Sequence, residues 1–182
     1  MPAASSIRLY HTGFEEIRSP DLKRGRKSAD FGQGFYLTPE RDFALRWAGE
    51  NAVVNSYELD LSGLTVQRFE RDAAWFKYIF HNRRAEDGLD ADVIVGPIAN
   101  DTLFDTMGVL SSGFLAPEEA LQLLQVGPAY TQIALKTERA ARQLRWLGAE
   151  AIAPLDAALR RREQEEYLRA LGEAMAALTD RA

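Results

Sequence analysis

The sequence of 182 residues contains no cysteine and two histidines, His11 and His81. Disulfide bonds and cysteine-ligated metals are therefore excluded. A zinc site would have to consist mainly of carboxylates, and no group of acidic residues has the spacing of such a site. We therefore expect no bound metal.

Long apolar segments are also missing, so the sequence offers no candidate for a membrane-spanning helix. The first six residues lack the basic start and the apolar core of a secretory signal. We therefore expect no membrane partner. We expect a protein that is either cytoplasmic or exported as an effector without a cleaved signal peptide.

An excess of positive charge is absent as well. The net charge is −5, which argues against a protein built as a whole to bind nucleic acid. One basic cluster departs from this balance and consists of Lys23, Arg24, Arg26 and Lys27. Such a cluster indicates either a solvated loop or a surface that meets phosphate groups.

The apolar content, 46% of the chain, is sufficient for one domain with a substantial core. Patterns of apolar and turn-forming residues predict strands over 7–10, 34–37, 52–59, 64–69, 92–98 and 130–135. They predict helices over 39–48, 72–82, 116–126, 138–148 and 157–178, and a further helix that begins near residue 100. Because helices and strands alternate irregularly, we expect the α+β class.

The last predicted helix has an apolar stripe. Leu168, Leu171, Met175 and Leu178 are spaced three and four apart, which suits packing on a domain as well as a coiled-coil seam with a partner. We therefore expect a domain over residues 1–154, followed over 155–182 by a C-terminal helix that packs on it or is used for a partner.

Three segments far apart in the chain each carry a side chain suited to a common site. His11 ends an apolar run and is followed by Thr12 and Gly13. Tyr36 follows a glycine-rich bend, and Gln132 supplies one amide in the middle of a predicted strand. Taken alone, each residue also has a purely structural interpretation. His11 could be a histidine at the edge of the core, Tyr36 a core residue, and Gln132 a polar residue on the outer face of its strand.

The segment around Tyr36 is the most specific of the three. Gly32 and Gly34 permit a tight bend directly before Phe35 and Tyr36. The Thr-Pro-Glu sequence that follows at 38–40 predicts the start of a helix, with Thr38 as its cap.

The order and type of these segments resemble the His–Tyr–Glu signature of the ADP-ribosyltransferases, with Gln132 at the position of the glutamate. From about residue 7 to residue 150 the sequence is also similar to the bacterial domain-of-unknown-function 3990 family, which is held to be related to those enzymes. Glu58, the Asn-Arg-Arg segment at 82–84 and the Gly-Pro-Ile-Ala-Asn-Asp segment at 96–101 contribute to this similarity. The resemblance implies an ADP-ribosyltransferase-like split mixed sheet with flanking helices.

The resemblance also implies NAD as co-substrate. His11 would contact a ribose hydroxyl, the backbone of Gly13 would hold the carboxamide, and Tyr36 would stack on the nicotinamide ring. Gln132 would bind the 2′-hydroxyl of the nicotinamide ribose. The residues implied to be catalytic are His11, Tyr36 and Gln132. The residues implied to bind the cofactor are Thr12, Gly13, Gly34, Phe35, Arg24, Asn100 and Asp101.

Three functions are compatible with these features. The first is a mono-ADP-ribosyltransferase that cleaves the nicotinamide–ribose bond and transfers ADP-ribose to a protein or nucleic-acid acceptor. Such an enzyme would act as a bacterial toxin or effector, with an antitoxin or immunity protein as partner. The second function is a non-catalytic module that binds NAD or ADP-ribose. The third is an RNA-directed relative that transfers a 2′-phosphate to NAD, for which Arg8, Arg24 and Arg26 would form the phosphate pocket.

Gln132 bears on the choice between the first two functions. Glutamine keeps a hydrogen bond to ribose but lacks the negative charge that would stabilise positive charge at C1′. An enzyme of this kind would be slow, or would need a second carboxylate, for which Asp101 and Glu58 are candidates. On the sequence alone, Gln132→Glu is expected to raise nicotinamide release.

Overall fold

The computed structural model describes residues 6–82, 88–99 and 116–180. The strands in these ranges are β1 (Ser6–Gly13), β2 (Phe35–Leu37), β3 (Ala52–Asp60), β4 (Val66–Arg68), β5 (Val93–Pro97), β6 (Thr131–Leu135) and β7 (Leu144–Ile152). The helices are α1 (Arg41–Arg46), α2 (Ala73–Asn82), α3 (Pro117–Leu124), α4 (Glu138–Arg142) and α5 (Ala157–Thr179), with a 3₁₀ helix at Leu22–Arg24. This mixture confirms the α+β class.

The strands form two sheets. The first has the order β1-β3-β7 and is antiparallel, whereas the second has the order β2-β6-β5-β4, with β4 parallel to β5 and the other pairs antiparallel. Two backbone hydrogen bonds join the sheets, one from Tyr10 N to Thr38 O (2.8 Å) and one from Thr38 N to Tyr10 O (2.9 Å). Strand β1 therefore lies beside the end of β2, which brings the segments of His11 and Tyr36 together.

The core has two parts. One cluster contains Leu9 and Tyr57 of the first sheet and Phe35, Val95 and Ile133 of the second, so it joins the two sheets. The other cluster lies between the second sheet, helix α2, helix α3 and the adjoining loops. Its members are Phe31, Trp75, Ile79, Ala91, Ile94, Ala99, Leu124 and Ala134. The alternation of side chains along each strand divides them between these two clusters.

A buried carboxylate ties the start of β5 to helix α4. Asp92 accepts hydrogen bonds from Thr65 N (2.8 Å) and Thr137 Oγ1 (2.6 Å) and forms an ion pair with Arg139. These contacts, of which the one with Arg139 has the largest effect, lower the pKa of Asp92 to about 2. Thr137 also accepts from Ala140 N, which confirms its predicted role as a helix cap.

Two predicted helix boundaries are wrong. Helix α1 begins at Arg41, with Glu40 at its N-cap position, because the backbone of Thr38 is paired with Tyr10. Helix α4 ends at Arg142, and the predicted helical segment after it is strand β7. Leu144, Arg145 and Leu147 favour a helix locally, but pairing with β3 completes the first sheet and overrides that preference. The helix predicted near residue 100 lies outside the described residues.

The predicted long C-terminal helix is confirmed as α5. The side facing the domain contains Leu159, Glu163, Tyr167, Leu171, Ala174 and Leu178, which are half-buried or buried. Leu168 and Met175 are instead 53% and 44% exposed, so the predicted stripe is divided between two faces. The helix contacts the segment after α1 through Arg160, which donates to the carbonyl of Ala48. Its use by a partner stays a prediction.

None of the helices in the described ranges combines the length and apolarity needed to cross a membrane.

Candidate functional site

A cavity of about 420 Å³ lies where the two sheets meet. Strand β1, the loop before β2, the end of β2, helix α1, the segment after β5, and β6 all contribute to its wall. The lining residues are Tyr10, His11, Thr12, Arg26, Ser28, Ala29, Asp30, Tyr36, Leu37, Thr38, Phe43, Ala44, Trp47, Ile98, Ala99 and Gln132. The three residues that the resemblance implied to be catalytic therefore share one cavity.

The backbone of β2 orients the imidazole of His11. Its Nδ1 lies 2.7 Å from the carbonyl oxygen of Tyr36. Because a carbonyl only accepts, Nδ1 carries the proton and Nε2 of the neutral ring is an acceptor. Burial lowers the pKa of His11, and the hydrogen bond to Tyr36 opposes this effect only in part. The ring packs on Phe35, with 4.4 Å between centroids.

The hydroxyl of Tyr36 is fixed by the loop before β2. It donates to Gly32 O (2.7 Å) and accepts from Phe31 N (2.9 Å). Gly32 has a φ of +73°, a conformation that glycine adopts readily. Gly34 is needed for a different reason, because a Cβ there would lie 2.6 Å from the carbonyl oxygen of Leu135. Two hydrogen bonds of its hydroxyl thus hold the half-buried ring of Tyr36 at the cavity wall.

The amide of Gln132 is oriented by two acceptors. Nε2 donates to Asp30 Oδ2 (2.8 Å) and to the carbonyl oxygen of Pro97 (3.2 Å). Because both partners accept, the assignment of nitrogen and oxygen in this amide is unambiguous. Within the described part of the chain, Oε1 has no hydrogen-bond partner, so it is the atom available to a ligand.

Asp30 is a site residue that the sequence interpretation did not identify. It is 9% exposed, and its Oδ2 also accepts from Ala99 N at 3.2 Å. Among the described residues that line the cavity, it is the only one with a carboxylate. Gly96, opposite Gln132 in the sheet, makes room for the ring of Phe31, which places Asp30 beside that amide.

The residues implied to bind the cofactor are divided between two places. Thr12 lines the first cavity and donates its hydroxyl proton to the carbonyl of Ala44 in α1. Gly13 pairs with Val53 and lies outside the cavity wall, where a Cβ would make an ordinary contact of 3.7 Å with His11 Nε2. The space at Gly13 therefore does not require glycine. Asn100 and Asp101 lie outside the described residues.

A second cavity of about 410 Å³ contains the remaining members of that set, Arg24, Gly34 and Phe35. His11 and Tyr36 line both cavities, so the two adjoin at these side chains. Arg24 is paired with the exposed Glu15 at 3.1 Å. The basic cluster thus divides, with Arg24 at the second cavity and Arg26 at the first, while Lys23 and Lys27 are exposed.

Glu58, one of the two candidate second carboxylates, does not line the cavity. It lies on β3, where it forms an ion pair with Arg145 and accepts from Ser6. The contact with Arg145 lowers the pKa of Glu58. The expectation that Glu58 reaches the cleft is therefore wrong.

Within the described ranges, no group of three or more potential metal ligands is placed to hold a metal ion. The site is instead a partly apolar cavity with an imidazole, a phenol, an amide and a carboxylate at its wall. These groups offer hydrogen-bond donors and acceptors and aromatic faces to a small-molecule ligand.

By its fold, the chain is an α+β protein with a cavity where two sheets meet. It belongs to the family described as "Protein of unknown function (DUF3990)", whose model matches residues 7–146. The match includes His11, Tyr36 and Gln132, and helix α5 lies beyond it. No curated protein and no solved structure matches the chain.

Proposed function

We propose that the protein binds NAD⁺ in the cavity between its sheets and cleaves the bond between nicotinamide and ribose, as an ADP-ribosyltransferase does. The observation that carries this proposal is the convergence of His11, Tyr36 and Gln132 on one cavity, from positions far apart in the chain. The cavity volume of about 420 Å³ falls within the range of about 300–1,000 Å³ that is typical of small-molecule sites.

Each of the three residues has a defined task in this proposal. Neutral His11 accepts a hydrogen bond from a ribose hydroxyl through Nε2, because Nδ1 donates to the backbone of Tyr36. Tyr36 offers an aromatic face to the cationic nicotinamide ring. Gln132 accepts from the 2′-hydroxyl through Oε1, because both contacts of its Nε2 are used within the protein.

The reaction is a displacement at C1′ of the nicotinamide ribose. The C1′–N1 bond breaks, and both of its electrons go to N1, which neutralises the pyridinium and releases nicotinamide. A lone pair of the acceptor forms the new bond to C1′, and the acceptor proton passes to water. The proposed acceptor is a protein or a nucleic acid, with water as the acceptor in simple hydrolysis. We propose that the protein acts as a toxin or effector and that its partner is an antitoxin or immunity protein.

One observation favours a second function, a module that binds NAD⁺ without turnover. Gln132 is an amide where a carboxylate would stabilise the developing positive charge at C1′. The bound geometry survives this exchange, since an amide oxygen also accepts hydrogen bonds. The two functions therefore share the binding step and differ only in nicotinamide release.

The test uses the two histidines of the chain, one at the cavity and one exposed. Wild type, His11→Ala and His81→Ala are compared by calorimetry with NAD⁺ and by nicotinamide release, with and without cell lysate as acceptor. We expect His11→Ala to weaken NAD⁺ binding at least tenfold, because a half-buried hydrogen-bonding group of the site is lost. His81→Ala should match wild type.

The outcomes separate the alternatives. Binding with nicotinamide release supports the enzyme, and binding without release in any condition supports the module. A wild-type protein with no affinity for NAD⁺ would overturn both.

A further inference from the structure

A hydrogen bond in the cavity wall joins the side chains of Asp30 and Gln132. The distance from Asp30 Oδ2 to Gln132 Nε2 is 2.8 Å, and 102 positions separate the two residues. The carboxylate is buried, and the backbone N–H of Ala99 also holds it at 3.2 Å. Its position relative to the amide is therefore fixed from two sides.

We propose that Asp30 is a positioning residue for the reaction at C1′, which supplies through Gln132 the negative charge that the amide lacks. This inference rests on the proposed cleavage of NAD⁺. In this proposal two residues together do the work of one catalytic carboxylate. Gln132 on β6 supplies the hydrogen-bond acceptor, and Asp30 on the loop before β2 supplies the negative charge.

The chemical argument follows from the direction of the hydrogen bond. An amide that donates to a carboxylate is polarised toward its oxygen, so Oε1 of Gln132 becomes a stronger acceptor for the ribose hydroxyl. The same carboxylate lowers the electrostatic energy of positive charge at C1′, because a fixed charge in a site of low dielectric acts over several ångströms. Neither effect requires Asp30 to touch the ligand.

The contact also changes what Gln132→Glu is expected to do. A glutamate at position 132 would place a second carboxylate against Asp30, and like charges at this distance oppose each other. The expectation from sequence alone, a gain in nicotinamide release, is therefore replaced by a loss of stability at neutral pH.

Exchange of the two groups avoids this repulsion. In the double variant Asp30→Asn/Gln132→Glu, the asparagine Nδ2 takes the place of Oδ2 and can donate to the new carboxylate, while the N–H of Ala99 loses its acceptor. The carbonyl of Pro97 loses its donor in the single and the double variant alike. The double variant therefore differs from Gln132→Glu in the charge at position 30 and in the lost acceptor of Ala99 N. Because that loss lowers stability, a higher stability of the double variant is assigned to the removal of the charge.

The experiment compares wild type, Asp30→Asn, Gln132→Glu and the double variant. The control is Asp42→Asn, which removes an exposed carboxylate from α1 outside the cavity wall. Nicotinamide release gives kcat and KM for NAD⁺, calorimetry gives affinity, and thermal unfolding is measured at pH 7 and pH 4.

Asp30→Asn keeps the shape and an acceptor oxygen. We therefore expect kcat to fall at least tenfold, with NAD⁺ affinity within about threefold of wild type. Gln132→Glu should unfold at a lower temperature than the double variant at pH 7, and the difference should shrink at pH 4. The double variant should recover most of the release lost in Asp30→Asn, which a merely structural role of Asp30 would not produce.

The contradicting outcomes are distinct. If wild type releases nicotinamide and Asp30→Asn does so at the same rate, the role of Asp30 is overturned and the proposed function stands. If wild type binds NAD⁺ without release, both cleavage and this role are overturned. If Gln132→Glu is as stable as the double variant at pH 7, the coupling between the two residues is overturned whatever the activity.

Discussion

Substitutions at Tyr36 can separate its role in the fold from its proposed role in binding. The hydroxyl is bonded to the loop before β2, whereas the ring lines the cavity. Tyr36→Phe removes the hydrogen bonds of the hydroxyl and keeps the aromatic ring at the cavity. Tyr36→Ala removes both, so the difference between the two variants measures the ring.

The magnitudes follow from the two hydrogen bonds. Tyr36→Phe loses contacts of 2.9 and 2.7 Å and leaves the N–H of Phe31 and the carbonyl of Gly32 without this partner. One such bond contributes about 0.5–1.5 kcal/mol, and the opening to the cavity lets water replace part of it. We therefore expect Tyr36→Phe to lower the free energy of unfolding by about 1–3 kcal/mol. Its NAD⁺ affinity should stay within about twofold of wild type, because a phenyl face stacks as well.

For Tyr36→Ala we expect a similar or larger loss of stability and a loss of binding free energy of about 1–3 kcal/mol. Urea unfolding and calorimetry with NAD⁺ measure the two quantities. Tyr130→Phe is the control, because its hydroxyl contacts Asp42 (3.4 Å) and Arg46 and Tyr130 does not line the cavity. If Tyr36→Phe binds NAD⁺ as weakly as Tyr36→Ala while both remain folded, stacking is not the role of the ring.

Two further predictions concern pH. The pKa of Asp92 is about 2 in the folded protein against an ordinary value of 3.8, so its contribution to stability is complete above about pH 4 and is lost as the pH falls toward 2. In urea unfolding, Asp92→Asn should lower the free energy of unfolding by about 1–3 kcal/mol at pH 7 and by much less near pH 2. The control is Asp90→Asn at an exposed neighbouring position, which should leave the free energy of unfolding unchanged at both pH values. Burial holds the pKa of His11 below its ordinary 6.5, so calorimetry should find NAD⁺ affinity constant from pH 8 to pH 6.5 and reduced only below that range. An affinity that already falls between pH 8 and pH 7 would contradict a buried, neutral imidazole.

Local pattern was sufficient for most of the fold. The six predicted strands correspond to β1–β6, and the predicted helices over 72–82 and 157–178 correspond to α2 and α5. The continuous apolar run at 93–95 correctly predicted a buried strand. Both faces of β5 pack against the core, and a strand buried on both faces needs apolar residues at consecutive positions. The preference of threonine for the N-cap position likewise predicted correctly that Thr137 begins helix α4.

The errors occurred where pairing between distant segments decides the structure. The predicted helix continued to residue 148, but pairing with β3 makes the segment from residue 144 onward a strand. Thr38 has the chemistry of a cap, but its backbone is used to join the two sheets. Asp30 was missed for the same reason, since nothing in the sequence indicates that it meets Gln132. That contact requires the order β2-β6-β5 in the second sheet, which no local pattern contains.

The junction of the two sheets also explains how two candidate site residues can be perturbed independently. His11 is oriented by the carbonyl of Tyr36, which is a backbone atom, and the adjacent pairing of Tyr10 with Thr38 holds that strand in place. A change of the Tyr36 side chain therefore leaves the acceptor for His11 Nδ1 in position. Loss of NAD⁺ affinity in Tyr36→Ala can then be assigned to the ring, because the imidazole keeps its tautomer and its orientation. A site whose histidine depended on the tyrosine hydroxyl would not permit that assignment.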